Sequence, residues 1–279
     1  MRRFLVLPLS AMIACGVLVV FVMAQAPAQM SPAPESSAGH SPAGLEASLL
    51  DDLVAANRVL AQKGVLDALG HISVRDPHDP NRYWMSRSLA PALVTPSDIM
   101  EFDLDSNPID REGRSLYVER FIHGEIYKAR PDVNAIVHSH SPTVIPFSVT
   151  KVPLQPVLHN ASFLAFGAPV FDTRTIAANS DLLIRTPALG AALAKTLGPT
   201  AAVVLLRAHG DAVVASSLPN AVFRAYYTEI NAREQEQAIA LGGKDVAYIT
   251  PEEAATREKE SHRSFARSWE LWKREATAK

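Results

Sequence analysis

Cysteine is all but missing from this chain of 279 residues: the one thiol, Cys15, lies in an apolar N-terminal segment. That excludes cysteine-ligated zinc, iron–sulfur clusters, thiol nucleophiles and a disulfide scaffold from everything downstream. Neither sign of charge dominates, with 27 Lys and Arg scattered among 29 Asp and Glu. No broad field draws a phosphate backbone, so nucleic acid is not an expected partner. Glycine-rich nucleotide loops of the GxGxxG and P-loop kinds are lacking, as is a GxSxG elbow, which removes dinucleotide-binding, nucleotide-hydrolysing and serine-hydrolase readings. There is no internal repeat.

What is present begins with an export-type N-terminus. Arg2 and Arg3 precede twenty uncharged, mostly apolar residues, 4–23, and Ala24-Gln25-Ala26 offers the small-x-small pattern of a signal-peptidase site. Residues 1–26 are expected to be a signal peptide of a periplasmic or secreted protein. The run is also long enough to span a bilayer, and an uncleaved inner-membrane anchor facing the periplasm is the alternative. Residues 27–44, with Pro27, Pro32, Pro34 and Pro42 and no long apolar side chain beyond Met30, read as a disordered linker, leaving 45–279 as the folded domain.

Within that domain, Leu45, Leu49, Leu53, Ala56 and Leu60 recur at helical spacing over 45–62, with Gly64 as a stop. Short β-rich runs at 71–75, 82–86 and 99–103 are bounded by Pro, Asp or Asn, and predict antiparallel strands. A helix is expected over 117–130, ended by Pro131, then a strand over 135–140. A strand pair over 203–206 and 211–215 flanks Ala208-His209-Gly210. Thr186-Pro187 and Thr250-Pro251 place a capping hydroxyl before a proline, so helices start there, and another runs from about Pro219 to Leu241. Strand clusters mixed with helices and no βαβ rhythm argue for one layered domain on a mainly antiparallel sheet.

The chemistry is carried by histidines. His138 and His140 are two apart on a predicted strand and project from one face, where one metal ion can take both. An isolated pair of this kind is equally a pair of half-buried strand-end histidines, and a third ligand decides the matter. His209 offers one, after an apolar strand and before Gly210, where the backbone can turn closely beneath a site. Glu119 lies on the helix before the histidine strand and shares a helical face with His123, placing a carboxylate where it can move protons.

These residues together resemble the class II aldolase/adducin family. Glu119-Arg120-Phe121-Ile122-His123 is similar to its acid–base helix, and Arg130-Pro131-Asp132 through Val137-His138-Ser139-His140 to its RPD-x-x-A-x-V-H-x-H strand. Arg207-Ala208-His209-Gly210 resembles its HG turn, while Gly70-His71-Ile72-Ser73-Val74-Arg75 and Val94-Thr95-Pro96-Ser97 resemble its early loops. The resemblance runs from about residue 46 to 240. It implies a three-layer α/β/α sandwich with a mostly antiparallel central sheet and one divalent cation on His138, His140 and His209. Zn²⁺ is the first candidate, with Mn²⁺, Fe²⁺ and Co²⁺ as alternatives. Glu119 is the implied acid/base, and a homotetramer with the site near a subunit interface is implied as well.

Departures from the aldolases bear on the substrate. Their phosphate-binding small hydroxyls and asparagine are replaced by Tyr117, Val118 and His71, which disfavours a sugar phosphate. Where they carry a proton-donating tyrosine after a histidine, His159 is kept but Asn160 follows; Tyr226 or Tyr227 is a substitute only if it reaches the site. Candidate substrate contacts are therefore His71, His123, His159 and Asn160, with Arg87 and Ser88 before the Thr95-Pro96 loop as a carboxylate clamp. The expected activity is a carbon–carbon lyase, decarboxylase ahead of aldolase. It acts on a small non-phosphorylated hydroxy, keto or catechol-type carboxylate through a metal-stabilised enolate. The alternatives are a non-haem iron oxygenase of the same family and a non-catalytic adducin-like binding domain.

Overall fold

The computed structural model describes residues 45–278; the expectations for 1–26 and 27–44 lie outside the described residues. Helix α1 (Ala47–Gln62) is followed by the antiparallel strands β1 (His71–Arg75), β2 (Arg82–Ser86) and β3 (Ile99–Asp103). A 3-10 turn, Val118–Arg120, leads into α2 (Phe121–Ala129), and then come β4 (Ala135–Ser139), α3 (Ile145–Val149) and β5 (Val170–Phe171). Helix α4 (Pro187–Leu197), the hairpin β6 (Val203–Leu206) and β7 (Gly210–Ala215), and helices α5 (Leu218–Gly242), α6 (Pro251–Glu258) and α7 (Ser261–Thr277) complete the order. Among the described residues no helix is long and apolar enough to cross a membrane.

The seven strands form one sheet in the order β3-β2-β1-β4-β7-β6-β5. Every pairing is antiparallel except β5 with β6, which is parallel. The sheet is thus mixed at one edge. Alternation along the strands divides the apolar side chains between its two faces. Ile72, Val137, Leu205 and Val213 join α1, α5 and α7 residues such as Leu53, Leu60, Phe223 and Trp272. Ile136, Val204, Leu206 and Val214 join α2 and α4 through Ile122, Ile126 and Leu193. Helices on both faces are what makes β4 and β7 apolar nearly throughout, since neither face meets water.

The caps form where the hydroxyls lie in the sequence. Thr186 Oγ1 accepts from Leu189 N at 3.3 Å at the start of α4. Thr250 and Glu253 make a reciprocal capping box at the start of α6, with bonds of 2.9 and 3.2 Å.

Two differences from the sequence expectation concern the site. The helix expected over 117–130 opens as a 3-10 turn because Glu119 departs from helical geometry (φ −93°, ψ 17°), in the bridge region frequented by active-site residues. The strand expected over 135–140 stops at Ser139. The candidate contacts His159 and Asn160 open the 3-10 run His159–Phe166.

Candidate metal centre

Strand β4 pairs with β1 so that His138 faces His71, and with β7 so that Ser139 faces Asp211. The end of β4 is therefore locked between two neighbours. On the β7 side the chain arrives through a three-residue hairpin loop, 207–209, closed by the pairing of Leu206 with Gly210. Ala208 takes a left-handed conformation there (φ 56°), which turns the chain sharply and sends His209 back over the strand ends. Gly210 has no substitute: a Cβ would stand 1.9 Å from the Ser139 carbonyl oxygen.

This arrangement collects four side chains from three segments. One ligand atom each from Glu119, His138, His140 and His209 lies within 4.8 Å of the others. The Nε2 atoms of His140 and His209 are 3.1 Å apart, and Glu119 Oε2 is 3.5 Å from His138 Nε2 and 3.3 Å from His209 Nε2. The other Glu119 oxygen accepts the backbone N–H of Ile184 at 2.8 Å.

Each imidazole is oriented from behind. His138 Nδ1 donates to the Asp211 carbonyl at 2.8 Å, His209 Nδ1 to the Leu182 carbonyl at 3.0 Å, and His140 Nδ1 to Asp67 Oδ2 at 3.0 Å. A carbonyl or an ionised carboxylate can only accept, so all three neutral rings carry their proton on Nδ1 and turn an Nε2 lone pair into the cluster. Lone pairs 3.1 Å apart repel unless a cation or a proton lies between them. His138 Nε2 is fully buried without a hydrogen-bond partner among the described residues. Together these features fit a divalent cation and fit little else: three imidazole nitrogens, each with the backing acceptor usual for a metal-bound histidine.

The electrostatics agree. Burial opposes ionisation of Glu119, but positive charge on the His138 and His209 side of the cluster outweighs it and holds the carboxyl well below its usual range. Burial likewise opposes charge on Asp67, yet the Leu69 and Gly70 amides and His140 hold it below its ordinary value. Asp67 is thus ionised and able to accept from His140.

Beside this cluster lies a second polar group. His71 packs its ring 5.0 Å from that of His138 and 4.4 Å from Tyr117. His71 Nδ1 is 2.7 Å from His123 Nε2, and His123 Nδ1 is 2.6 Å from Ser73 Oγ, which is 2.8 Å from the Tyr127 hydroxyl. Burial first, then the charge of neighbouring histidines, holds both His71 and His123 far below the ordinary imidazole value, His123 at about 3.

The structure thus brings together Glu119, His138, His140 and His209, with His71 and His123 alongside. The remaining candidates are held elsewhere. Arg87 donates its Nε–H to Asp98 Oδ1 at 2.6 Å, and the Ser88 N–H is tied to the Ser115 carbonyl. His159 and Asn160 lie against Arg257 of α6, at 3.5 and 3.3 Å. The rings of Tyr226 and Tyr227 pack on Trp272 and Phe223, respectively. Asp67, Ser73 and Tyr127 were not singled out by the sequence. Two signals pointed to them: the Asp67-x-x-Gly70 spacing of an Asx turn, and positions two from His71 on a strand and four from His123 on a helix.

Three histidines at the strand ends of an α/β sandwich, with a glutamate from the neighbouring 3-10 turn, form a group that can hold a metal ion. Residues 51–236 match the family described as the Class II Aldolase and Adducin N-terminal domain. The chain belongs to that family. It is 40% identical over 238 residues to "Decarboxylase tropJ" of Talaromyces stipitatus, covering 78% of this chain and 90% of that one. It is 32% identical over 200 residues to the 3,4-dihydroxyphthalate decarboxylase of Arthrobacter keyseri, covering 67% and 77%. Among solved structures, L-fuculose 1-phosphate aldolase from Glaciozyma antarctica superposes with a TM-score of 0.67 at 26% identity, covering 83% of this chain and 90% of that one.

Proposed function

We propose that the protein is a divalent-metal-dependent decarboxylase of a small, non-phosphorylated carboxylate bearing adjacent oxygens, of hydroxy, keto or catechol type. The observation that carries this is the convergence of three Nε2 lone pairs, each backed by an acceptor, on the carboxylate of Glu119. Relatives named as decarboxylases, one of them for a dihydroxyphthalate, support the reaction and the substrate class.

His138, His140 and His209 would hold the cation, with Zn²⁺ first and Mn²⁺, Fe²⁺ or Co²⁺ compatible with imidazole donors. When bound it supplies a Lewis acid that withdraws electron density from substrate oxygens as the carbon–carboxylate bond breaks. Glu119, ionised and anchored by the Ile184 amide, takes the proton of the substrate hydroxyl on Oε2 and returns it to the carbon that has lost CO₂. Tyr117, whose hydroxyl is engaged by the backbone of Leu89, cannot help to cradle a phosphate dianion, which supports a non-phosphorylated substrate. The N-terminal Arg2-Arg3 and apolar run support a periplasmic or secreted location, and the family resemblance supports a homotetramer.

The test is CO₂ release from dihydroxybenzoate, dihydroxyphthalate, hydroxy-acid and keto-acid panels by protein loaded with each cation in turn. Glu119→Gln should keep its metal and lose about a hundredfold or more in turnover. Efficient cleavage of L-fuculose 1-phosphate, or turnover that requires O₂, would replace this reading with an aldolase or an oxygenase.

A further inference from the structure

The four side chains behind the metal cluster form a line of hydrogen bonds with one open end. Tyr127, Ser73, His123 and His71 are all buried, at 1%, 0%, 0% and 2% exposure. The Tyr127 hydroxyl has one hydrogen-bond partner among the described residues, Ser73 Oγ. Arg75 lies over the Tyr127 ring at 4.6 Å but offers no acceptor, and its N–H groups are engaged by the carbonyls of Val133, Tyr127, Arg130 and Pro80.

That end condition fixes the direction of every bond. A buried phenol must donate, and its one acceptor is Ser73. The Ser73 proton must then go to His123 Nδ1, so His123 carries its hydrogen on Nε2 and gives it to His71 Nδ1. His71 is left with its own hydrogen on Nε2, which has no protein partner among the described residues. The opposite direction would strand the Tyr127 hydroxyl hydrogen.

We propose that Tyr127, Ser73 and His123 lock His71 as the Nε2-protonated tautomer, making it a neutral N–H donor to a substrate oxygen beside the metal histidines. His71 is the specificity-determining contact, and the other three are positioning residues. Its tautomer is the reverse of that in His138, His140 and His209, whose Nε2 atoms carry lone pairs. Adjacent imidazoles are thereby divided into three that bind a cation and one that reads an oxygen. A neutral single donor suits a carboxylate, carbonyl or catechol oxygen and is a poor match for a phosphate dianion.

The lock is independent of the reaction, while its substrate role rests on the reading given above. Long-range ¹H–¹⁵N spectra of the histidine rings, recorded on metal-free and Zn²⁺-loaded full chain, should show His71 protonated on Nε2. In Tyr127→Phe, which keeps the ring, His71 should become a mixture of tautomers. Ser73→Ala should do the same, and Ser73→Thr should restore the wild-type pattern. Adding a dihydroxybenzoate to the Zn²⁺ protein should shift the His71 Nε2–H resonance, and Tyr127→Phe should raise KM about tenfold with kcat less affected. Wild-type His71 protonated on Nδ1, or a tautomer unmoved in Tyr127→Phe, overturns the lock. A correct tautomer whose resonance responds to no carboxylate overturns the donor role. A responding resonance without CO₂ release counts against the decarboxylase reading alone.

Discussion

Asp67 does for His140 what backbone carbonyls do for His138 and His209, and it is the one backing acceptor that a substitution can remove. Asp67→Ala leaves the His140 ring free to rotate and to change tautomer, and should weaken Zn²⁺ binding by about 10- to 100-fold. Competition titration against a chelator measures this. At the same scale, His123 is held at about 3 against an ordinary 6.5, burial being the larger cause. The unfolded chain therefore binds a proton that the folded chain refuses, and stability should fall as pH drops from 6.5 towards about 3. Urea unfolding across that window should show the slope, shallower in His123→Gln. Asp98, held below its ordinary 3.8, adds its own loss only lower down. The clustering of His138, His140 and His209 was legible because strand alternation and a glycine after a histidine are local signals. The carbonyls of Asp211 and Leu182 were not, because any residue supplies a carbonyl and only the fold selects which one.

At the scale of elements, the close approach of β7 to β4 decides where His209 stands. Gly210→Ala would push a methyl into the Ser139 carbonyl and force the strands apart between His138 and His209. Metal stoichiometry should fall together with thermal stability, whereas Ala substitution at open Gly113 should leave the metal in place and affect stability alone. Strands β1, β2 and β3 could be read to the residue because Pro, Asp and Asn punctuate them. The two-residue β5 carries too little pattern to be read, and its parallel pairing with β6 depends on the long crossover through α4. The bend at Glu119 was also illegible: the residues around it have helical spacing, and it is the pull of Ile184 N and the histidines that takes Glu119 out of the helix.

Across the whole molecule, the apolar layers on the two faces of the sheet serve different ends. The α2 and α4 side carries Glu119, His123 and Tyr127 towards the site, while the α1, α5 and α7 side closes over Phe223, Tyr226 and Trp272. Trp272→Ala should therefore destabilise by about 3–5 kcal/mol in denaturant titration with Zn²⁺ stoichiometry unchanged. The apolar stripe of α7, with Phe265, Trp269, Trp272 and Ala276, went unread although its spacing is helical. Its docking on α1 and α5 carries no sequence signal, since the α1 contact joins opposite ends of the domain.

Glu119, the end of β4 and the β6–β7 hairpin lie far apart in sequence, and their side chains meet at one point. A cation seated on His138, His140 and His209 is accordingly a crosslink as well as a reagent, tying together loops that otherwise open separately. Occupancy and folding are then a single linked equilibrium, and free cation at a hundred times its dissociation constant should add about 2.7 kcal/mol to stability. Melting curves recorded with graded Zn²⁺ should rise with concentration, and a chelator should bring them back to a common floor. The protein's resistance to heat would thereby report the metal supply of its surroundings.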